Sequence, residues 1–426
     1  MKVFIKPKKE SLSKILQRPT FDSVALEETV SNILTNIATG GDAAIQQYTE
    51  QFDQVNIEQT RVGLSEINAA INALDADLKK AIQQAASNIE AFHTIQKEPI
   101  KEVETMPGVR CWRKSVGIQK VGLYIPGGSA PLFSTILMLG VPARLAGCRE
   151  IILCTPPRKD RTIHPAILYA ANLVGVSKIF KIGGVQAIGA MAYGSETVPK
   201  VDKIFGPGNQ YVTAAKQLIQ RNGVAIDMPA GPSEVMVVAD HTAIAAFVAA
   251  DLLSQAEHGE DSQVVLVTTT EAILKEVHRE LTRQLNKLPR KAIASKALDH
   301  SCAIVVNDRK NILEIIDEYA PEHLILAIDE AVEMAARVTN AGSVFIGNYS
   351  PESVGDYASG TNHTLPTNGF AKAYSGVSLD SFCKKITFQE LTKEGMKNIG
   401  PTVELMAEAE ELIAHKRAVS IRLKTI

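Results

Sequence analysis

Several features that mark whole classes of protein are scarce in this 426-residue sequence. Aromatic residues make up only 5% of the chain, so the stacking platforms of proteins that bind single-stranded nucleic acid are not expected. The formal net charge is only -2, which lacks the basic excess typical of proteins that bind nucleic acid or membrane surfaces. We therefore expect a small-molecule partner and neither a nucleic acid nor a membrane.

Long apolar runs and cysteine motifs are also missing. No stretch has the length of a transmembrane helix, and the basic segment Met1–Glu10 lacks the apolar core of a signal peptide. The five cysteines are scattered, and no pair has the spacing of a zinc ribbon or a redox motif. These absences predict a cytoplasmic protein whose cysteines are mostly packed thiols.

The sequence has an ordinary globular composition and a repeated alternation of strands and helices. Hydrophobic residues make up 45% and charged residues 22%, and the length is sufficient for two or more domains. Strands that alternate with helices predict right-handed crossovers and a parallel sheet, and the pattern occurs twice. The predicted strands are Val121–Ile125, Ile151–Cys154, Ile179–Ile182 and Lys203–Phe205, and then Val235–Ala239, Val264–Thr268, Ala303–Val306 and Ser343–Ile346.

The predicted fold class is therefore α/β, with two successive Rossmann-like parallel-sheet domains. An N-terminal arm is expected over residues 1–24, lying on another part of the protein or on a partner subunit. One α/β domain is expected to combine residues 25–123 with 235–377, and the other to span 124–234. The helical tail 378–426 is too short to form its own core and is expected to dock elsewhere.

Two helices are predicted in the first quarter of the chain. The first runs from Val24 to about Tyr48 and is broken at Gly40–Asp42, where a second segment restarts. The second is a single long helix over Leu64–Phe92 with a continuous apolar stripe.

The polar stretch Leu252–Gln263 is the strongest candidate for a binding site. It follows an Ala-rich helix that Gly259 is suited to end, so Gln255 and His258 share one face of the last turn. A side-chain oxygen and an imidazole on one face can hold a metal or a polar ligand. The alternative is a capped helix end with a solvated histidine.

Three other segments each place a histidine near a carboxylate. Glu322 and His323 are adjacent after a proline, Asp356 and His363 share a Gly-punctuated loop, and Glu410 lies close to His415. Together with Leu252–Gln263 they can supply nitrogen and oxygen ligands for a divalent metal such as zinc. A carboxylate and an imidazole remain for proton transfer.

Three predicted strand ends carry glycine turns that open helices, at Tyr124–Gly128, Ile182–Gln186 and Phe205–Tyr211. In open parallel sheets the carboxyl ends of strands form the ligand crevice, and helix N-termini favour phosphate, so a dinucleotide fits. The usual fingerprint is incomplete, because Gly206–Gly208 lacks a third glycine and no obvious ribose-binding acid follows. Short strand–helix turns that simply need glycine remain the alternative.

At the level of whole motifs the chain resembles the histidinol dehydrogenase family over nearly its full length. The resemblance is carried by the motifs Val121–Pro131, Phe205–Asn209, Asp227–Glu234, Leu252–His258, Ala320–Leu324, Gly355–Pro366 and Ala414–Lys416. It implies zinc-dependent oxidation of L-histidinol to L-histidine through the aldehyde, with reduction of two NAD, in the last steps of histidine biosynthesis. A zinc hydrolase using the same ligands and a binding module without chemistry are the alternatives from other classes.

The resemblance also implies roles for individual residues. Glu322 and His323 would be the catalytic acid–base pair. NAD would bind near Tyr124, Gln186 and Asn209, in the 124–234 domain. The implied zinc ligands are Gln255, His258, Asp356 and His415, and the implied substrate contacts are these four with Ser233, His323, His363 and Glu410. A homodimer is implied in which the tail crosses to the partner subunit and completes its active site.

Overall fold

The computed structural model describes residues 1–19, 23–127 and 130–426, so residues 128–129 of the first glycine turn and 20–22 of the arm lie outside it. The elements of the first half are β1 (Lys2–Ile5), α1 (Leu12–Ile15), α2 (Ser23–Asp53), α3 (Leu64–Ala73), α4 (Ala76–Thr94), β2 (Glu102–Met106), β3 (Val109–Gly117), β4 (Lys120–Tyr124), α5 (Phe133–Ala146), β5 (Glu150–Thr155), α6 (Pro165–Val174), β6 (Lys178–Lys181), α7 (Gly184–Tyr193), β7 (Lys203–Phe205), α8 (Gln210–Gln220) and β8 (Ala225–Ile226). Those of the second half are β9 (Glu234–Ala239), α9 (Ala245–Ala256), β10 (Gln263–Thr268), α10 (Glu271–Leu285), α11 (Lys291–Asp299), β11 (Cys302–Val305), α12 (Arg309–Tyr319), β12 (His323–Ala327), α13 (Ala331–Ala335), β13 (Ser343–Ile346), α14 (Glu352–Tyr357), β14 (Cys383–Leu391), α15 (Lys393–Ala409) and α16 (Ile413–Leu423).

The first parallel sheet has five strands in the order β6-β5-β4-β7-β8. Helices α5 and α6 pack with α3 and α4 in one apolar core, and α7 and α8 pack with α2 in another. The predicted alternation of strands and helices between Val121 and Arg221 is confirmed, because each predicted strand there corresponds to a strand of this sheet.

The second parallel sheet has six strands in the order β1-β11-β10-β9-β12-β13. Strand β12 was not predicted, although it lies between β9 and β13 and all five of its residues are buried. The strand starts at the polar residue His323, directly after Glu322, and its other four residues are apolar. This apolar run is too short for its pattern to identify a strand. The N-terminal arm contributes β1, which pairs with β11 at the sheet edge.

The helices of the first quarter of the chain pack on the five-stranded sheet. Residues 25–123 were grouped with 235–377, but helices α2–α4 pack against α5–α8 of the five-stranded sheet. Strand β4 (Lys120–Tyr124) also crosses the predicted boundary at residue 123. An apolar stripe along a helix shows only that one face of the helix is buried. The sequence therefore did not specify which sheet these helices cover.

Both predicted helices of this region are interrupted. Helix α2 is kinked at Gly41, which has φ 51° and ψ -136°, and this agrees with the predicted break. The long helix predicted over Leu64–Phe92 is two helices, since Leu74 is extended and Asp75 caps α4 by accepting from two backbone N–H groups. A favourable N-cap therefore outweighs the continuous apolar stripe.

The tail forms a separate small layer. Strand β14 pairs antiparallel with β3 over nine residues in a three-stranded sheet of order β14-β3-β2. Helices α15 and α16 pack mainly on each other. Among the described residues, no helix combines the length and the apolar character needed to cross a membrane.

Candidate active site

A cavity of about 810 Å³ lies between the two parallel sheets. On one side it is lined by the turns after β4 and β7, at Pro126 and Gly206–Asn209, which are the carboxyl ends of strands. On the other side it is lined by Ser233 and by Glu322–His323, at the amino ends of β9 and β12. The expected crevice at carboxyl strand ends is therefore only half of this site, and the amino edge of the six-stranded sheet forms the rest.

Glu322 and His323 form a buried pair at the cavity wall, with exposed fractions of 6% and 3%. Nδ1 of His323 lies 3.6 Å from Oε2 of Glu322. Burial raises the pKa of Glu322 to about 8. Burial opposes protonation of His323, but the carboxyl groups of Glu352, Glu322 and Asp356 outweigh it and raise the pKa of this imidazole. Glu322 and His323 are therefore two ionisable groups with shifted pKa values beside a cavity, a combination typical of active sites.

Glu234 connects this pair to the N-terminal arm. Its backbone N–H donates to Oε2 of Glu322 at 2.9 Å, and its carbonyl oxygen lies 3.3 Å from Nδ1 of His323. Its side chain accepts two hydrogen bonds from Arg18, at 2.5 and 2.8 Å. The Arg18 guanidinium also lies 4.0 Å above the ring of Tyr319. Sequence reasoning missed both Arg18 and Glu234, because no local motif connects the arm to β9.

Asp356 lies beside His323, and the two atoms that face each other make no hydrogen bond within the described chain. Oδ1 of Asp356 is 3.5 Å from Nε2 of His323. Both atoms are buried and lack a hydrogen-bond partner within the described parts of the chain. With Glu352 these residues form a group whose ligand atoms lie within 4.8 Å of one another. A buried set of nitrogen and oxygen donors is suited to a divalent cation, and Asp356 is its one member from the predicted metal ligands.

Gln255 and His258 lie at the carboxyl end of α9, as the sequence predicted. Gln255 is fully buried, and its amide is satisfied when Nε2 donates to the two carboxyl oxygens of Glu352 at 2.5 and 3.3 Å. The other amide atom, which is then the oxygen, lies 3.3 Å from Nδ1 of His258. His258 lines the cavity. The amide oxygen and the imidazole therefore face the same region, where a helix C-terminus also favours positive charge.

His363 joins the two halves of the site. Its Nδ1 lies 2.7 Å from the carbonyl oxygen of Asp356, and its Nε2 lies 3.0 Å from Oγ1 of Thr135 on α5. Both ring nitrogens are therefore held, one by each side of the cavity. This arrangement fixes the ring where it can contact a bound molecule.

Buried side chains, including a charged pair, hold the turn after β7 in place. Asn209 caps α8 by accepting from two backbone N–H groups, each at 3.1 Å, and it lines the cavity. Asp227 accepts the Gly206 N–H at 2.8 Å and pairs with the buried ammonium of Lys216. An acidic residue thus does follow the glycine turn, but its carboxylate braces the turn and is already paired.

Comparison with known proteins identifies the family. The histidinol dehydrogenase family profile matches residues 16–423. A histidinol dehydrogenase of Bacteroides thetaiotaomicron is 60% identical over 426 residues, which cover 100% of both chains. The chloroplastic histidinol dehydrogenase of Arabidopsis thaliana is 52% identical over 418 residues, or 97% of this chain and 89% of that one. This chain belongs to the histidinol dehydrogenase family.

The fold leads to the same family. The crystal structure of histidinol dehydrogenase from Elizabethkingia anophelis matches with a TM-score of 0.98 at 58% identity, covering 100% of this chain and 98% of the other. Membership in the histidinol dehydrogenase family makes the chain an NAD-dependent dehydrogenase, which confirms the predicted class of enzyme.

In the described part of the chain, Asn209 lines the cavity, whereas the other two predicted cofactor residues do not. Tyr124 and Gln186 are 3% and 0% exposed, and among the described residues they are not part of the cavity lining. The Tyr124 hydroxyl accepts the Gly184 N–H at 3.1 Å, at the start of α7. Nε2 of Gln186 donates to Asp53 at 3.2 Å, while its buried Oε1 has no partner in the described chain.

The two predicted site residues of the tail, Glu410 and His415, are not among the described residues that line the cavity. Glu410 follows α15, and His415 lies on α16. Both are exposed, and neither lines the cavity in the described part of the chain.

Glu352 is the main site residue that sequence reasoning missed. It is 1% exposed and lies at the first position of α14, directly after Pro351. Proline is favoured at helix starts, so reading Pro351–Glu352 as a start would have placed Glu352 and Asp356 four residues apart on one face. The predicted motif began at Gly355, one turn too late.

Proposed function

We propose that this chain oxidises L-histidinol to L-histidine through the aldehyde and reduces two NAD. Family membership supports the reaction class, and the relatives named histidinol dehydrogenase support the substrate. The observation that carries the proposal is the buried pair Glu322–His323 at the wall of a cavity between the glycine turns and the α9 terminus. An alcohol oxidised twice at one carbon needs a base for its hydroxyl proton and then a base for water, and the pair offers both.

The proton steps follow from the side chains. In the first oxidation His323 accepts the hydroxyl proton as hydride leaves the carbinol carbon for NAD, which gives the aldehyde and NADH. In the second, Glu322 removes a proton from the water that adds to the aldehyde, and hydride leaves the hydrate for a second NAD. The pKa of Glu322, raised by burial to about 8, brings this carboxylate close to the range in which a general base acts near neutral pH.

Zinc is proposed at the Gln255 end of the cavity. Gln255, His258 and Asp356 of this chain would hold it, with His415 from a partner chain as the fourth ligand. The unpaired buried Oδ1 of Asp356 and the amide oxygen beside His258 support this set. Zinc bound there supplies a positive centre that orients the imidazole and amino nitrogens of the substrate.

The remaining predicted contacts complete the proposal. NAD is proposed to bind near Tyr124, Gln186 and Asn209, and the unpaired Oε1 of Gln186 offers it a buried acceptor. Ser233 and His363 line the cavity and are proposed to contact the substrate. Glu410 is proposed to join them from the partner subunit of a homodimer.

One assay tests the proposal directly. Purified protein with zinc, L-histidinol and excess NAD should form two NADH per histidinol, measured by nicotinamide absorbance and by quantifying L-histidine. One NADH per histidinol, with free aldehyde accumulating, would contradict the two-step reaction. Metal-dependent cleavage of amides or esters without nicotinamide reduction would instead favour the zinc hydrolase.

A further inference from the structure

Glu352 is a buried carboxyl group to which the proposed reaction gives no role. Its side chain is 1% exposed, and it lies between the proposed zinc ligand Gln255 and the proposed base His323. Oε1 of Glu352 is 3.8 Å from Nδ1 of His323. A carboxyl group in such a place costs free energy unless polar partners compensate it, so its contacts require an explanation.

The Gln255 amide has two chemically different ends that occupy almost the same shape. Only the oxygen can ligate a cation, because the amide nitrogen carries two hydrogens and no free acceptor. With the amide assigned so that its nitrogen faces Glu352, both carboxyl oxygens of Glu352 accept from it, at 2.5 and 3.3 Å. The oxygen end is thereby directed toward the side occupied by Nδ1 of His258, 3.3 Å away.

We propose that Glu352 is a positioning residue that sets the orientation of the Gln255 amide and so presents its oxygen to the cation. The inference rests on the proposed zinc site and deepens it. Glu352 acts through Gln255, which distinguishes it from a ligand. The carboxyl group comes from α14, which packs against α9.

The opposing possibility is that Glu352 itself ligates the cation. It belongs with His323 and Asp356 to the group whose ligand atoms lie within 4.8 Å of one another. Its two oxygens are directed at the Gln255 nitrogen, however, whereas the unpaired atoms of the group are those of His323 and Asp356. These contacts favour the positioning role.

The test is the zinc affinity of the full-length protein, measured by competition with a chromogenic chelator. Glu352→Gln keeps the size of the side chain, but its amide has one acceptor and one donor. It can therefore pair with either end of the Gln255 amide and no longer fixes which end faces the cation. Partners that orient metal ligands typically account for about 10- to 100-fold in affinity, so we expect a loss of that size. Glu352→Asp, which keeps the carboxyl but shortens it, should lose less, and it answers the question if the first variant does not fold. Metal-free thermal unfolding of each variant checks folding, and the exposed Glu333→Gln serves as control.

A double-mutant cycle separates the two roles. If Glu352 acts through Gln255, adding Glu352→Gln to Gln255→Ala should cause little further loss of zinc affinity. Losses that multiply would show an independent ligand and overturn the inference, as would an unchanged affinity for Glu352→Gln. If wild type takes up no zinc, or if His258→Asn binds it as well as wild type, the proposed zinc site itself fails and the inference with it.

Discussion

At the scale of single residues, the adjacency of Glu322 and His323 would give both side chains access to one carbon in the proposed reaction, and their surroundings differ. Glu322 is held from one side by the Glu234 N–H, whereas Nε2 of His323 is left unpaired toward Asp356. A carboxylate that is poorly solvated is a stronger base than one in water, because burial penalises its charged form.

We expect Glu322→Gln and His323→Asn to affect different steps. Glu322→Gln cannot accept a proton from water, so oxidation of supplied aldehyde should slow by about 100-fold or more, and the alcohol step by less. His323→Asn should impair the alcohol step at least as much. Rapid-mixing measurements with histidinol and with the aldehyde provide the comparison. Equal losses on both substrates for both variants would mean that the roles are misassigned.

Asp53 offers a test of burial at the proposed cofactor side. Burial raises its pKa from 3.8 to about 6, against an opposing hydrogen bond from Gln186. A carboxyl group with a raised folded-state pKa contributes stability at low pH, and this contribution is lost as the pH rises through that value. Asp53→Asn has no carboxyl group at this position, so its stability does not decrease in this way as the pH rises. The difference in unfolding free energy between Asp53→Asn and wild type should therefore be about 1 kcal/mol more favourable to the variant at about pH 8 than at about pH 4. This figure allows for the partial exposure of Asp53.

Denaturant unfolding of Asp53→Asn and wild type at the two pH values provides the measurement. The same difference in unfolding free energy at both would show that Asp53 does not titrate on folding. Asp42→Asn, at a half-buried position of the same helix, is the matched control for the substitution itself.

At the scale of elements, the N-terminal arm is tied to the start of β9. Arg18 forms a two-point ion pair with Glu234, whose backbone contacts both Glu322 and His323. The side chains of this pair are only 17% and 2% exposed. Removing one partner of such a pair leaves the other buried without compensation, which is strongly destabilising.

Arg18→Met should therefore lower the free energy of unfolding by roughly 3 kcal/mol. Lys9→Met is the matched control, since Lys9 pairs with Glu314 at 3.3 Å on the surface and is 71% exposed. Exposed pairs contribute about 1 kcal/mol or less, so this variant should resemble wild type. Denaturant unfolding measures both, and equal losses would show that the buried contact has no special weight.

At the scale of the whole molecule, the tail presents an apolar surface without a partner in the described chain. Its helices expose Leu405, Met406, Leu412, Ile413 and Ile421 by 45% to 69%. Large exposed apolar surfaces mark interfaces, and the same tail carries the two predicted site residues that lie outside the cavity. This supports the proposed exchange of tails in a two-fold dimer.

Mixed dimers test that exchange. A His258→Asn chain and a His415→Asn chain should each be inactive alone. In a mixed two-fold dimer with exchanged tails, one site carries both lesions and the other carries neither. Random assortment makes about half of the dimers mixed, so roughly a quarter of all sites should regain activity. No recovery after co-expression, with mixed dimers confirmed by mass spectrometry, would exclude the shared site.

The local pattern of the sequence was sufficient for most elements. Apolar runs between glycine turns located β4, β5, β6 and β7, and the end of α9 brought Gln255 and His258 to one face. Such features depend on residues close together in the chain, where periodicity and capping act directly. The break at Leu74 shows the limit, because a single N-cap overrode a continuous stripe.

The sequence by itself determined the α/β class and the family, because these reside in composition, spacing and motifs. Tertiary structure alone decided that β12 lies between β9 and β13, that α2–α4 cover the five-stranded sheet, and that Glu352 meets Gln255. It also decided that the carboxyl edge of one sheet faces the amino edge of the next across the cavity. Each of these features is a contact between segments that are distant in sequence. A local sequence pattern predicts that a face is buried, but it does not identify the segment that buries it.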